Sequence, residues 1–262
     1  MDHQAYPELK SLLKLFLMLL LFMIIIGLIG GFYVGFSKTP LDPLTKSFIN
    51  LISYTAAMIA TIWYAARLSK KEQPESFELG FNKIQLWLIP LLIISTIALT
   101  VGLERVSSLV PMPDSVAEFF DDLFKNDIFS IIMISVVAPI LEETLCRGIV
   151  LKGLLQNYSP RKAILYSALF FALIHLNPWQ SLPAFFAGLF LGWVYYKTRS
   201  VIPGIIVHAV SNTTFVLFLF LPKAQQDYLG LLGLPLYLVV CVLAIIVFVA
   251  GCMLIQKRAK VV

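Results

Sequence analysis

Long apolar runs separated by short polar stretches fill most of the chain. Several of these runs approach or exceed about 18 residues, the length at which an apolar run becomes a candidate for a membrane-spanning helix. The pattern predicts an all-α polytopic membrane protein, a single domain over 1–262, with eight transmembrane helices. Their approximate bounds are 12–36, 47–68, 84–103, 128–155, 163–176, 181–196, 201–221 and 234–255.

Composition agrees with a membrane protein and excludes an ordinary soluble domain. Of the 262 residues, 59% are hydrophobic and only 13% are charged. The net charge of +5 does not indicate nucleic-acid binding, because the basic residues stand singly or in pairs at the ends of apolar runs. The three cysteines lie in apolar runs without a Cys-x-x-Cys spacing, which argues against a disulfide framework. The lipid bilayer is therefore the expected environment, and nucleic acid is not an expected partner.

The distribution of lysine and arginine predicts which helix ends face the cytoplasm. With eight helices and both termini inside, the basic pairs at 70–71, 161–162 and 257–258 all fall in cytoplasmic segments, where positive charge accumulates in membrane proteins. A seven-helix arrangement would put the basic C-terminal tail outside. The sequence thus predicts an N-in, C-in multi-pass protein, and a prokaryotic plasma membrane is the expected location.

The predicted fourth helix contains two adjacent carboxylates and an arginine inside an apolar run. Ionisable groups at membrane depth are costly and are therefore candidates for function. Glu143 and Arg147 stand four residues apart, share a helix face and can pair. Glu142 is rotated by about 100° from Glu143 and has no obvious cation nearby, which favours it as a general base beside a histidine. The alternative is a structural ion-pair cluster that holds two helices together.

Two further polar motifs occur in the predicted fifth and seventh helices. His175 follows Phe171 by four residues, so the aromatic ring can shield the imidazole from lipid. His208 precedes Asn212 by four residues, and both side chains can donate hydrogen bonds into a common space. Taken singly, each motif has a plainer interpretation, in which polar side chains hydrogen-bond a neighbouring helix.

Together these motifs account for every acidic residue and every histidine within the eight predicted helices. Scattered placement would leave several of the side chains without partners in the bilayer, at a high cost in free energy. A shared polar cavity built by helices 4, 5 and 7 satisfies all of them at once. The candidate catalytic residues are Glu142, Glu143, Arg147, His175, His208 and Asn212.

The three motifs, in this order, resemble the CAAX protease and bacteriocin-processing family of intramembrane proteases, also called CPBP or Abi. The family's pattern is Glu-Glu-x-x-x-Arg, then Phe-x-x-x-His, then His-x-x-x-Asn. The chain matches all three without substitution, within about 128–221. The resemblance implies an eight-helix peptidase that hydrolyses a peptide bond of a membrane-associated or lipidated protein or peptide.

The resemblance also implies roles for the candidate residues. Glu142 would activate the attacking water, with His175 helping to hold it. His208 and Asn212 would stabilise the oxyanion that forms on the scissile carbonyl. The ion pair of the first motif would position these groups.

The resemblance leaves metal dependence open. The family is often described as metalloproteases, yet a metal-free mechanism with a glutamate-activated water has also been proposed for it. A zinc or other divalent-metal site would take Glu142, His175 and His208 as its ligands, with a water in the open position. No His-Glu-x-x-His stretch is present. Cys146 lies inside the first motif and gives a further alternative, a thiol nucleophile, at a variable position of the family pattern.

Two functions other than proteolysis also fit the residues. Intramembrane carboxylates, histidines and arginines form proton relays in transporters, so a proton-coupled transporter is one alternative, although the sequence contains no inverted repeat. The other is a catalytically idle scaffold or immunity-type binding protein that uses the same fold to bind a membrane partner. Loss of peptide cleavage on substitution of Glu142 would separate the protease from both.

Overall fold

The structure of the protein is a computed structural model that describes residues 5–36, 41–72, 77–107, 109–116, 118 and 126–258. Within these ranges the chain is largely helical and contains no strand, which confirms the all-α class. The long helices are α1 (Leu9–Phe36), α2 (Pro43–Glu72), α3 (Leu88–Ser107), α4 (Ile128–Asn157), α5 (Pro160–Leu173), α6 (Pro178–Thr198), α7 (Ile202–Leu219) and α8 (Leu234–Arg258). Each of them overlaps one of the apolar runs in the sequence.

Six helices in the described part of the chain are long and apolar enough to cross a membrane: α1, α2, α3, α4, α7 and α8. The protein is therefore an integral, multi-pass membrane protein. Helix α5 has 14 residues, fewer than the roughly 20 that a straight spanning helix needs. The six-helix count supports part of the predicted topology, and eight spans with both termini inside stay a prediction.

Helix α4 is the most enclosed of the spanning helices. In its most apolar window 33% of the residues are buried, against 17% in α1 and in α8. Leu145 and Leu151 on α4 are fully buried, whereas Ile29 on α1 and Ile246 on α8 are exposed. In a bilayer such exposed apolar faces contact lipid. Helix α4, which carries the first motif, is therefore more enclosed than α1 and α8.

Two stretches of α4, Met133–Val137 and Thr144–Leu151, are π-helical. A π-helix bonds each N–H to the carbonyl five residues earlier, and such turns are frequent at functional sites. Neighbouring helices bond to carbonyls of both stretches. Asn212 Nδ2 donates to the Ile134 carbonyl over 2.9 Å, and Ser167 Oγ donates to the Cys146 carbonyl over 3.3 Å. The irregular turns are therefore fixed by α7 and α5.

The N-terminus of α4 is tied to α2 by one aspartate. The Asp127 carboxylate accepts hydrogen bonds from the Phe129 and Ser130 amides and from the Ser130 hydroxyl, which is the usual N-cap arrangement. It also accepts from Ser47 Oγ on α2 over 2.7 Å. The rings of Phe48 and Phe129 pack beside this bond, with their centroids 5.0 Å apart. These contacts fix where α2 lies along α4.

Helices α5 and α6 form a tight antiparallel pair. A Cβ at Gly188 of α6 would lie 3.1 Å from the Ala168 Cα of α5, so small residues allow the close approach. The turn between them replaces the last residues of the predicted fifth helix, which was expected to continue to 176. Helix α5 ends at Leu173, because Leu176 takes a positive φ of 59° and Asn177 caps the start of α6. His175 consequently lies in the turn after α5.

Candidate active site

An ion pair between two fully buried side chains lies on α4. Arg147 Nη1 donates to Glu143 Oε1 over 2.7 Å, and neither side chain is exposed. The pairing predicted from the four-residue spacing is therefore present. Removing either partner would leave an uncompensated buried charge. The free-energy cost of such a charge keeps the two side chains paired.

Arg147 has two further neighbours on other helices. Its Nη2 donates to the Gly188 carbonyl of α6 over 3.2 Å. Its Cζ lies 4.4 Å from the centre of the Phe171 ring of α5, where the face of the ring attracts a cation. The guanidinium thus joins α4 to both helices of the α5–α6 pair.

His208 on α7 contacts the same carboxylate. Its Nδ1 lies 3.2 Å from Glu143 Oε1, and the side chain is only 7% exposed. An ionised carboxylate only accepts hydrogen bonds, so Nδ1 is the donor and Nε2 is the ring nitrogen left for another ligand. Gly204, one turn earlier on α7, permits the close approach, because a Cβ there would lie 2.6 Å from Glu143 Oε2.

The other carboxylate, that of Glu142, is held by a residue that sequence reasoning missed. The Tyr54 hydroxyl of α2 donates to Glu142 Oε1 over 2.6 Å. Glu142 Oε2 is buried and has no hydrogen-bond partner within the described residues. The only sequence signal was a phenolic hydroxyl inside an apolar run, and nothing in the sequence pairs α2 with α4.

The second motif lies beside Arg147 and His208, which its Phe171 ring contacts. His175 is half-buried, and its Nδ1 lies 2.7 Å from the Phe171 carbonyl, which can only accept, so Nε2 is again the nitrogen left for another ligand. The Phe171 ring packs edge-on against both imidazoles, with centroid distances of 5.0 Å to His175 and 5.4 Å to His208. The residue predicted to shield one histidine therefore contacts both.

Asn212 lies one turn after His208 on α7 and is partly buried. Its amide donates one hydrogen bond to the Ile134 carbonyl, in the first π-helical stretch of α4. A carboxamide has two N–H hydrogens, so a second donor is left in the same group. The third motif thus faces α4 at two levels, with the histidine at Glu143 and the asparagine one helical turn further along.

A metal site at Glu142, His175 and His208 is the alternative to a metal-free reaction. Among the residues that the structure describes, no three His, Cys, Asp or Glu side chains form a group that could hold a metal ion. Of the candidate ligands, Glu142 is bonded to Tyr54 and His208 to Glu143. These bonds use one atom of each side chain, and a metal held by Glu142, His175 and His208 stays a prediction.

The three cysteines are buried or partly buried. Cys146, Cys241 and Cys252 are all free thiols, in agreement with the expected absence of a disulfide framework. The Cys146 side chain is fully buried in the main hydrophobic core. A thiol nucleophile needs access to its substrate, so the geometry does not favour that alternative.

Comparison with known proteins bears on the middle of the chain. Residues 124–214 match the model of a family described as type II CAAX prenyl endopeptidase, Rce1-like. The matched segment overlaps the predicted core at 128–221 and contains all three motifs, from Glu142 to Asn212. It confirms the family resemblance inferred from those motifs. No curated protein and no solved structure matches the chain.

Proposed function

We propose that the protein is an intramembrane endopeptidase, on the premise that residues 124–214 form a type II CAAX prenyl endopeptidase domain. The substrate would be a membrane-associated or lipidated protein or peptide, which an integral membrane protein meets within the bilayer. A prokaryotic plasma membrane is the location that we expect.

One observation carries this proposal: the two adjacent carboxylates of α4 have different partners. Glu143 is bonded to the Arg147 guanidinium and contacts His208. Glu142 is bonded to a neutral hydroxyl at Oε1. The second oxygen of each carboxylate is buried and has no partner among the residues described. Two carboxylates in different environments can have different roles, so that one positions the site and the other accepts a proton.

In the proposed reaction, Glu142 Oε2 takes a proton from a water molecule whose oxygen attacks the carbonyl carbon of the scissile bond. His175 would hold this water. Its Nδ1 donates to the Phe171 carbonyl, so its Nε2 has a lone pair that accepts a hydrogen bond from the second O–H of the water. The proton on Glu142 then passes to the amide nitrogen as the C–N bond breaks. Glu142 returns to its ionised form when the amine leaves.

The oxyanion of the tetrahedral intermediate would be stabilised by α7. Asn212 retains an N–H beyond the one that bonds the Ile134 carbonyl, and it donates without titrating. His208 Nε2 donates when the ring carries both protons, and the Glu143 carboxylate then faces the positive charge. These two donors are the chain's contribution to transition-state stabilisation in this proposal.

The proposal is tested with the purified full chain in proteoliposomes. Peptides with and without a prenyl group would be incubated with the wild-type protein and with Glu142→Gln, and the products identified by mass spectrometry. Loss of general-base catalysis is expected to lower the cleavage rate by about 100-fold or more. Glu78→Gln, which changes an exposed carboxylate outside the site, is the matched control and should cleave like the wild type.

Other outcomes favour the alternatives. Cleavage that persists in Glu142→Gln would overturn the site assignment. No cleavage of any peptide by the wild type, together with capture of a membrane protein, would favour the scaffold. Proton flux across the vesicle membrane that stops in Glu142→Gln, without peptide cleavage, would favour the transporter.

A further inference from the structure

Tyr54 is the site residue that lies furthest from the motifs in sequence. It stands on α2, 88 positions before Glu142 and outside the matched segment 124–214. We propose that Tyr54 is a positioning residue, which holds the Glu142 carboxylate in the orientation needed to activate water. This inference rests on the proposed function, since it assigns a purpose to Tyr54 in the same reaction.

The two oxygens of the Glu142 carboxylate are used differently. Oε1 accepts the short 2.6 Å bond from the Tyr54 hydroxyl. Oε2 is buried and without a partner among the described residues, so it is the oxygen available to a water molecule. A carboxylate held at one oxygen cannot rotate freely about its side-chain torsions. The Tyr54 bond therefore fixes where the second oxygen lies relative to a bound water, and positioning of this kind lowers a reaction barrier.

The position of Tyr54 is itself set by the packing of α2 on α4. Ser47, about two turns earlier on α2, donates to the Asp127 carboxylate at the N-terminus of α4 over 2.7 Å. The Phe48 and Phe129 rings pack beside that bond. The Tyr54 ring packs against the main hydrophobic core. Three contacts thus place the hydroxyl, which is the support that a precise site requires.

A hydroxyl with a purely structural role, which only supplies a hydrogen bond to a buried carboxylate, would form the same bond between Tyr54 and Glu142. The two roles differ in kinetics. A structural role predicts lower thermal stability with an unchanged kcat for the folded fraction. A positioning role predicts that kcat falls while KM stays the same, because the hydroxyl contacts Glu142 and not the peptide.

The experiment compares Tyr54→Phe with Tyr64→Phe. Both substitutions remove one hydroxyl from a partly buried tyrosine of α2, and Tyr64 lies ten positions further along the helix, where the structure assigns it no bond to the site. Tyr54→Phe is expected to lower kcat about tenfold at unchanged KM, the loss expected of one hydrogen bond that acts in the transition state. Tyr64→Phe should keep the wild-type kcat.

A second measurement does not depend on activity. Thermal melts of Tyr54→Phe, Glu142→Ala and the double variant in detergent should show Tm shifts that do not add, because each single change removes one partner of the same bond. Additive shifts would overturn the inference. An unchanged kcat in Tyr54→Phe, with cleavage lost in Glu142→Gln, would overturn the inference and leave the proposed function standing. A wild-type protein that cleaves no peptide would overturn both.

Discussion

Glu143 Oε1 lies 3.2 Å from His208 Nδ1 and 2.7 Å from Arg147 Nη1, so one carboxylate oxygen joins the first motif to the third. The arginine and the carboxylate are fully buried, and the histidine nearly so. Because the carboxylate accepts from Nδ1, the opposite ring nitrogen is the one that can face a substrate. The ion pair thus orients the histidine in addition to neutralising charge.

The first prediction concerns the cost of breaking this group. Arg147→Met leaves the Glu143 carboxylate buried without its main cation, and we expect it to lower the free energy of unfolding by about 3–5 kcal/mol. The double variant Glu143→Leu with Arg147→Met removes both charges and should regain most of that loss. The double variant should also have lost peptide cleavage, since His208 no longer has its Glu143 partner. Chemical denaturation in detergent measures the stabilities, and a double variant as unstable as the single one would contradict this account.

The second prediction concerns Gly204. An added Cβ would lie 2.6 Å from Glu143 Oε2, and the carboxylate cannot yield without weakening its bonds to Arg147 or His208. We expect Gly204→Ala to lower stability by about 1–3 kcal/mol and to reduce kcat. Gly102→Ala is the matched control, because a Cβ at that exposed helical position meets nothing within 4 Å. Wild-type kcat in Gly204→Ala would show that the Glu143 geometry does not matter.

The third prediction concerns pH. Burial acts to raise the pKa of Asp127, but hydrogen bonds from Ser47, Ser130 and Phe129 outweigh it and hold the pKa below its ordinary value. The ionised Asp127 carboxylate therefore stabilises the folded protein fully above about pH 4, near the pKa of an aspartate in the unfolded chain. This stabilisation is lost as the pH falls through the pKa that Asp127 has in the folded protein.

Melting temperatures measured between about pH 6 and pH 3 would check this expectation. The advantage of the wild type over Asp127→Asn, which can still cap α4 but carries no charge, should shrink as the pH falls. A difference in Tm that stays constant over this range would contradict the assigned cause.

The fourth prediction concerns metal removal. No three ligand side chains converge in the described part of the chain, so we expect peptide cleavage to continue in the presence of a chelator. Metal analysis of the same active sample should find less zinc than protein. Stoichiometric zinc that is lost together with activity, and restores it on return, would show that Glu142, His175 and His208 rearrange to form a site.

The sequence by itself determined the class of the protein and the first contact of the site. Apolar runs of this length, with so few charges, predict a helical membrane protein. A helix satisfies this environment because each backbone polar group must be hydrogen-bonded within the bilayer. The Glu143–Arg147 pair followed from local helix geometry, because residues four apart lie on one face. The three motifs indicated the family before any contact was known.

The tertiary structure alone decided what holds Glu142, and which groups surround the histidines. The Tyr54 bond joins positions 88 apart, and Asn212 reaches a carbonyl 78 positions away in a π-helical turn. Such contacts depend on how α2 and α7 lie along α4, and on where α4 departs from α-helical geometry. No local sequence pattern predicts the placement of these helices or the position of the π-helical turns. Both arise from side-chain packing between helices that are not neighbours in the sequence.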